Sequence, residues 1–135
     1  MRIYGYTDKE LRDMTLHELY TEIGGDYEQA LRVLRAEKLI DKHIRKLPKS
    51  GVADRLLNAG KSMEPAELFE AAHAMKGVCA NLGLAALAEM VSVIAEEYRP
   101  GNARRLSDSD VAQRLAEIAE AYAKTADGIR RYENS

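Results

Sequence analysis

Residues 65–84 read PAELFEAAHAMKGVCANLGL, with Pro65 at the start, His73 in the middle and Gly83 near the end. Proline suits the first turn of a helix, where its missing N–H forfeits no hydrogen bond. From Ala66 to Leu82 good helix formers follow, interrupted only by Gly77. Set at about 100° per residue, Leu68, Ala72, Met75, Cys79 and Leu82 fall in one narrow sector, which predicts a helix with one apolar face turned to a core. His73 falls on the outer half of that helix. Lys76 lies one turn on toward the same side, and Gly77 occupies the next turn of the histidine's face. Phe69 and Ala80 flank the imidazole above and below.

Glycine and proline punctuate the rest of the chain in the same way. Thr15 with Glu18 forms a capping box, and the short helix it opens ends at Gly24-Gly25. Asp26, with Gln29 at the matching position, caps a helix expected to run to about Lys46, where Pro48 stops it. Ala30, Leu31, Val33, Leu34, Leu39, Ile40 and Ile44 read as its apolar stripe. A short helix is expected over Ser50–Ala59, closed by Gly60. Another starts near Leu84 and stops at Arg99, before Pro100-Gly101. Ser107 with Asp110 opens a last helix to about Tyr132. Four of these are long enough to pack side by side, with connections short enough to make neighbours antiparallel. The predicted fold is therefore all-α: an antiparallel four-helix bundle over residues 15–132, with short extra N-terminal helical structure. Residues 1–14 read as an N-terminal arm, with one extra turn at Thr7-Asp8-Lys9-Glu10.

Composition agrees and narrows the function. The 135 residues suit one domain, 46% hydrophobic and 31% charged, with three prolines, one phenylalanine and no tryptophan. A net charge of −2 offers no general basic field for nucleic acid. Short basic clusters such as His43-Ile44-Arg45-Lys46 read as solvated helix faces. Cys79 is the single cysteine, so neither an intramolecular disulfide nor a cysteine zinc site is available. No run approaches the roughly 20 apolar residues of a membrane span, and Met1-Arg2-Ile3-Tyr4-Gly5 lacks a signal core, so the cytoplasm is the expected compartment.

His73, Lys76 and Gly77 form the one constellation with chemistry in it. Neutral imidazole is a competent nucleophile near pH 7. A phosphoryl group on its nitrogen brings negative charge, which a lysine one turn away can offset. An interior helical glycine costs roughly 1 kcal/mol relative to alanine, so it needs a reason. Gly77 either clears space for another protein beside the imidazole or permits close helix packing; the sequence leaves both open. His17 and His43 have no such company.

The pattern His73-Ala-Met-Lys76-Gly77, followed by Asn81-Leu82-Gly83-Leu84 and by Leu87, resembles the signature of histidine phosphotransfer domains. Ala71-Ala72 matches the small residues usual before the histidine. Leu19-Tyr20 with Ile23-Gly24-Gly25-Asp26-Tyr27 looks like the opening of standalone bacterial members, and an end at Ser135 without a long linker fits a standalone protein. Departures are mild: Val78-Cys79 stands where many members carry a small polar residue, and Met75 replaces a commoner leucine. The resemblance implies that His73 accepts a phosphoryl group on its distal ring nitrogen and passes it to or from a receiver-domain aspartate. It implies that Lys76 neutralises the phosphate and Gly77 leaves room for the partner, with Phe69, Glu70, Ala80 and Asn81 as docking surface. The expected partners are response-regulator receiver domains, a histidine kinase, or both, and a monomer suits a carrier that docks several of them. No cofactor or metal is expected on this chain, Mg²⁺ belonging to the receiver. The competing readings are a docking domain that is never phosphorylated and an enzyme. The second lacks a glycine-rich phosphate loop, a His-Glu-x-x-His motif and room for an ATP-binding domain.

Overall fold

The computed structural model describes Arg2–Ile3, Tyr6–Thr7 and residues 13–135. Seven α-helices account for most of it: α1 (Leu16–Ile23), α2 (Tyr27–Leu34), α3 (Glu37–Lys46), α4 (Val52–Ser62), α5 (Pro65–Asn81), α6 (Ala85–Glu97) and α7 (Asp108–Glu133). A 3₁₀ turn, Leu47–Lys49, joins α3 toward α4. At the N-terminus β1 (Arg2–Ile3) pairs antiparallel with β2 (Tyr6–Thr7). The helical turn expected at Thr7–Glu10 falls on residues outside those described, apart from Thr7, which pairs with Arg2 in β2.

The helix starts follow the capping residues. Thr15 accepts from the Glu18 N–H while Glu18 returns a bond to the Thr15 N–H, and Ser107 and Asp110 repeat this reciprocal box at the head of α7. Asp26 accepts from the Gln29 N–H, but the Gln29 side chain turns to Arg32 instead of completing the box. Ahead of Pro65, Glu64 caps α5 by accepting from the N–H groups of Ala66 and Glu67 at 3.2 and 2.8 Å.

Helices α4, α5, α6 and α7 close a ring in which each touches the next and α7 returns to α4. Short turns at Met63–Glu64 and Leu82–Leu84 make α4, α5 and α6 antiparallel neighbours, and the loop from Tyr98 to Ser107 brings α7 back along α6. The core between them holds Leu56, Leu68, Met75, Cys79, Val91, Ile94, Leu115 and Ile118. Helix α1 lies on α7, where Gly128 lets Ile23 approach: a Cβ at Gly128 would sit 2.5 Å from Ile23 Cγ2.

Two expectations about the elements are corrected here. The single helix expected from Asp26 to about Lys46 is two helices. Arg35 takes the left-handed conformation at φ 73°, Ala36 is extended, and neither carries a capping side chain. The break lets α2 pack against α5 while α3 turns to α7, where Tyr132 donates its hydroxyl hydrogen to Asp41. The expected stripe divides accordingly: Ala30, Ile40 and Ile44 are buried, whereas Val33 and Leu39 are each 40% exposed. Nor does Gly60 close a helix. Helix α4 runs through it to Ser62, and a Cβ there would meet Leu115 Cδ1 at 2.6 Å. Gly60 is a point of close approach between α4 and α7, and α4 supplies the fourth wall of the bundle in place of the 26–46 segment.

Candidate functional site

Helix α5 divides as its spacing predicts. Leu68, Ala71, Ala72, Met75 and Cys79 are fully buried and Leu82 nearly so. His73, Glu70, Gly77, Ala80 and Asn81 are exposed on the opposite side, and Phe69 and Lys76 are half-buried at its edge. All seven proposed site residues therefore share one outward side of α5. Their placement follows from the core sector alone, because burying Leu68, Met75 and Cys79 leaves His73 no orientation but outward.

The two readings of Gly77 separate on geometry. A Cβ built on Gly77 meets nothing within 4 Å among the described residues, so no helix packs against this position. Gly60, Gly83 and Gly128 all show the opposite, with contacts of 2.6, 2.2 and 2.5 Å. The propensity cost of Gly77 has no compensation inside the fold. What the missing side chain provides is open surface beside His73.

An aromatic ring lies against the imidazole. The Phe69 ring, one turn before it, stacks on it with centroids 5.5 Å apart and planes 22° from parallel. The guanidinium of Arg99, just past the end of α6, sits 5.4 Å from the Phe69 ring centre. Arg99 is gripped by Glu96, with Nη2 donating to Oε1 at 2.7 Å and Nε donating to both carboxylate oxygens at 3.1–3.2 Å. That bond, helped by the charge of Lys76, holds the Glu96 carboxyl below the usual carboxylate range. Phe69, Arg99 and Glu96 thus form a stacked and charged bracket beside His73. Nothing local in the sequence joins Arg99 or Glu96 to His73. The only available signal was the Glu-x-x-Arg spacing, common on any helix end.

Glu70 faces the Arg55–Glu67 ion pair between α4 and α5, and Asn81 with Val78 borders a groove of about 330 Å³ lined also by Leu34, His43, Lys46 and Leu47. Of the other histidines, His17 packs on Tyr27 with ring centres 3.8 Å apart, and His43 lies on the rim of that groove. Burial pushes the Cys79 thiol up to about 12, so it stays protonated in the core.

A helical bundle that displays a lone imidazole, a lysine one turn on and an unfilled glycine beside it matches one known family. Residues 16–128 fit the family described as Hpt domain. The chain belongs to the histidine phosphotransfer (Hpt) domain family. Hpt domains are phosphocarrier modules of phosphorelay signalling, not catalysts in their own right, and they interact with receiver domains and kinases. No curated protein and no solved structure matches the chain at a significant level. No helix among the described residues is long and apolar enough to cross a membrane.

Proposed function

We propose that this Hpt domain carries its phosphoryl group on Nε2 of His73 and exchanges it with the aspartate of a receiver domain. The observation that supports this best is Gly77, a glycine that costs the helix stability and packs against nothing, placed one turn from the only exposed imidazole on α5. In the forward step the neutral imidazole keeps its proton on Nδ1 and directs the Nε2 lone pair at the phosphorus of the partner's aspartyl phosphate. The N–P bond forms, the P–O bond to the aspartate breaks, and its electron pair returns to the carboxylate. The Nδ1 proton can then pass to solvent, since the ring is exposed. The reverse sequence hands the group to a receiver.

The chain's own contribution is placement and charge. Phosphoryl transfer asks mainly for alignment and for compensation of the equatorial oxygens' charge. The stacked Phe69 ring limits how the imidazole can turn, and Lys76 brings a cation one turn away. The receiver supplies its acid cluster and its Mg²⁺ across the surface opened by Gly77, with Glu70, Ala80 and Asn81 around the contact. In a transfer assay with a phosphorylated receiver, wild type should take up the phosphate and Lys76→Ala should take it up about ten- to a hundredfold more slowly, the loss expected when one charge-compensating group is removed. A receiver that binds the His73→Gln variant as tightly as wild type, with neither ever labelled, would make the protein a pure docking domain.

A further inference from the structure

Two charged residues outside α5, Arg99 and Glu96, are linked to His73 through the Phe69 ring without being part of the motif. Glu96 lies in the last turn of α6 and Arg99 two residues past its end, and the Arg99 guanidinium sits over the ring of Phe69, which itself stacks on the imidazole. Glu96 sits within the field of Lys76 as well as in contact with Arg99. One carboxylate therefore faces both cations on this flank of His73. On α5 itself Glu70 shares the outward side of His73 and lies in the field of Arg55, which pairs with Glu67.

While the imidazole is bare, Glu96 is the one anion paired with Arg99; phosphorylation of His73 brings a second. A phosphoryl group adds nearly two negative charges and three strong acceptor oxygens. Guanidinium is the cation best shaped to meet such oxygens in pairs. Arg99 is 39% exposed in its side chain and tethered only by Glu96 and by stacking on Phe69, so its long side chain is free to turn across the ring toward His73. Its present partner, a carboxylate on the surface, offers a weak pairing that a dianion can outcompete.

Building on the carrier reading above, we propose that Arg99 is a second phosphoryl-binding cation, stored on Glu96 in the unphosphorylated protein and transferred to the phosphoryl oxygens when His73 is modified. Glu96 then acts as the competitor that limits how strongly the phosphorylated state is held. It keeps the carrier from trapping its cargo, because any cation that binds the phosphoryl group must first leave, or be shared with, the carboxylate. Both residues are positioning and tuning groups; neither touches the reacting atoms in the unphosphorylated protein.

The test is a pH titration by ³¹P and imidazole ¹H NMR of the full chain, before and after chemical phosphorylation with phosphoramidate. In that reaction the donor's N–P bond breaks, ammonia leaves and the His73 N–P bond forms. Removing a nearby cation raises the titration midpoint of the modified histidine, and removing a nearby anion lowers it, whichever atom takes the proton. Arg99→Gln should raise the midpoint by roughly 0.2–0.7 of a pH unit in the phosphorylated protein and by clearly less in the bare one, as expected of one surface pair. Glu96→Gln should lower it in the phosphorylated protein, and Arg99→Lys should recover part of the Arg99→Gln loss. Glu70→Gln serves as the control, shifting both states alike. Equal shifts in the two states for Arg99→Gln, or none, would overturn the inference while leaving the carrier reading intact. Absence of any N–P resonance on wild type, with His73→Gln indistinguishable from it, would instead remove the reading on which it rests.

Discussion

His73 stands clear of the core because Ala72, Met75 and Cys79, on the far side of the helix, are consumed by packing, while Phe69, Glu70, Lys76 and Gly77, three and four residues from it, share its outward side; Gly77 stands clear because nothing among the described residues packs on it. The second fact yields a prediction with two signs. Gly77→Ala adds a methyl group into open space and removes backbone freedom from the unfolded chain, so it should raise stability by about 0.5–1 kcal/mol in urea or thermal unfolding. The same methyl group stands where a partner approaches, so phosphoryl exchange with a receiver should slow, and Gly77→Leu should slow it further. A glycine kept for internal packing would show the reverse pattern, lost stability with exchange unchanged. At this scale the sequence was informative. His73, Lys76, Gly77, Phe69, Glu70, Ala80 and Asn81 share a face because helical spacing is rigid, and the core sector identifies the other face. Arg99 and Glu96 were illegible, since their closeness to His73 depends on how α6 lies against α5, and a local pattern carries no such information.

Elements were legible where side chains close them and illegible where tertiary contacts do. Both capping boxes, the Pro65 start and the Pro100-Gly101 stop announce themselves in the residues. The break at Arg35–Ala36 does not, because an arginine in a left-handed conformation and an alanine at the start of α3 are local misfits imposed by the separate destinations of α2 and α3. Arg35→Gly should therefore stabilise the protein, by up to about 1 kcal/mol, through relief of that conformation. Gly83 is the converse case. It holds φ 69°, and a Cβ there would lie 2.2 Å from the Asp26 carbonyl oxygen, a backbone atom that cannot yield. The same corner joins the Asp26 N–H to the Gly83 carbonyl at 2.8 Å and the Tyr20 hydroxyl to the Leu82 carbonyl at 2.7 Å. Gly83→Ala should cost about 2–4 kcal/mol and weaken the anchoring of α1 and α2 to the end of α5, readable as amide exchange in those helices. Gly60 lies inside α4 and not at its end, and its sequence does not say so: a glycine that stops a helix and one that admits a neighbouring helix look alike.

Across the whole molecule, the bundle is closed by the loop between α6 and α7, and that loop is fastened by one buried carboxylate. Glu97 accepts from the N–H groups of Arg105 and Leu106 and pairs with Arg104 at 2.6 Å. Burial alone would raise its carboxyl, but these donors outweigh it and the net direction is down. A carboxyl lowered in the folded state stabilises fully above its unfolded value, near pH 4.3, and loses that contribution as pH falls through the lowered folded value. Unfolding free energy should thus decline in that acid window, and Glu97→Gln should cost about 1–3 kcal/mol at pH 7 while flattening the acid limb of the curve. The loop leads away from Arg99, so this fastening also fixes the end of α6 beside His73. Such a molecule, a helical frame with His73 displayed on open surface, gives its central claim a direct test. The protein is incubated with a phosphorylated receiver domain and Mg²⁺, and acid-labile, base-stable phosphate is followed on wild type and on His73→Gln. The account predicts label on wild type and none on the variant; equal labelling of both, or label surviving acid, would contradict it.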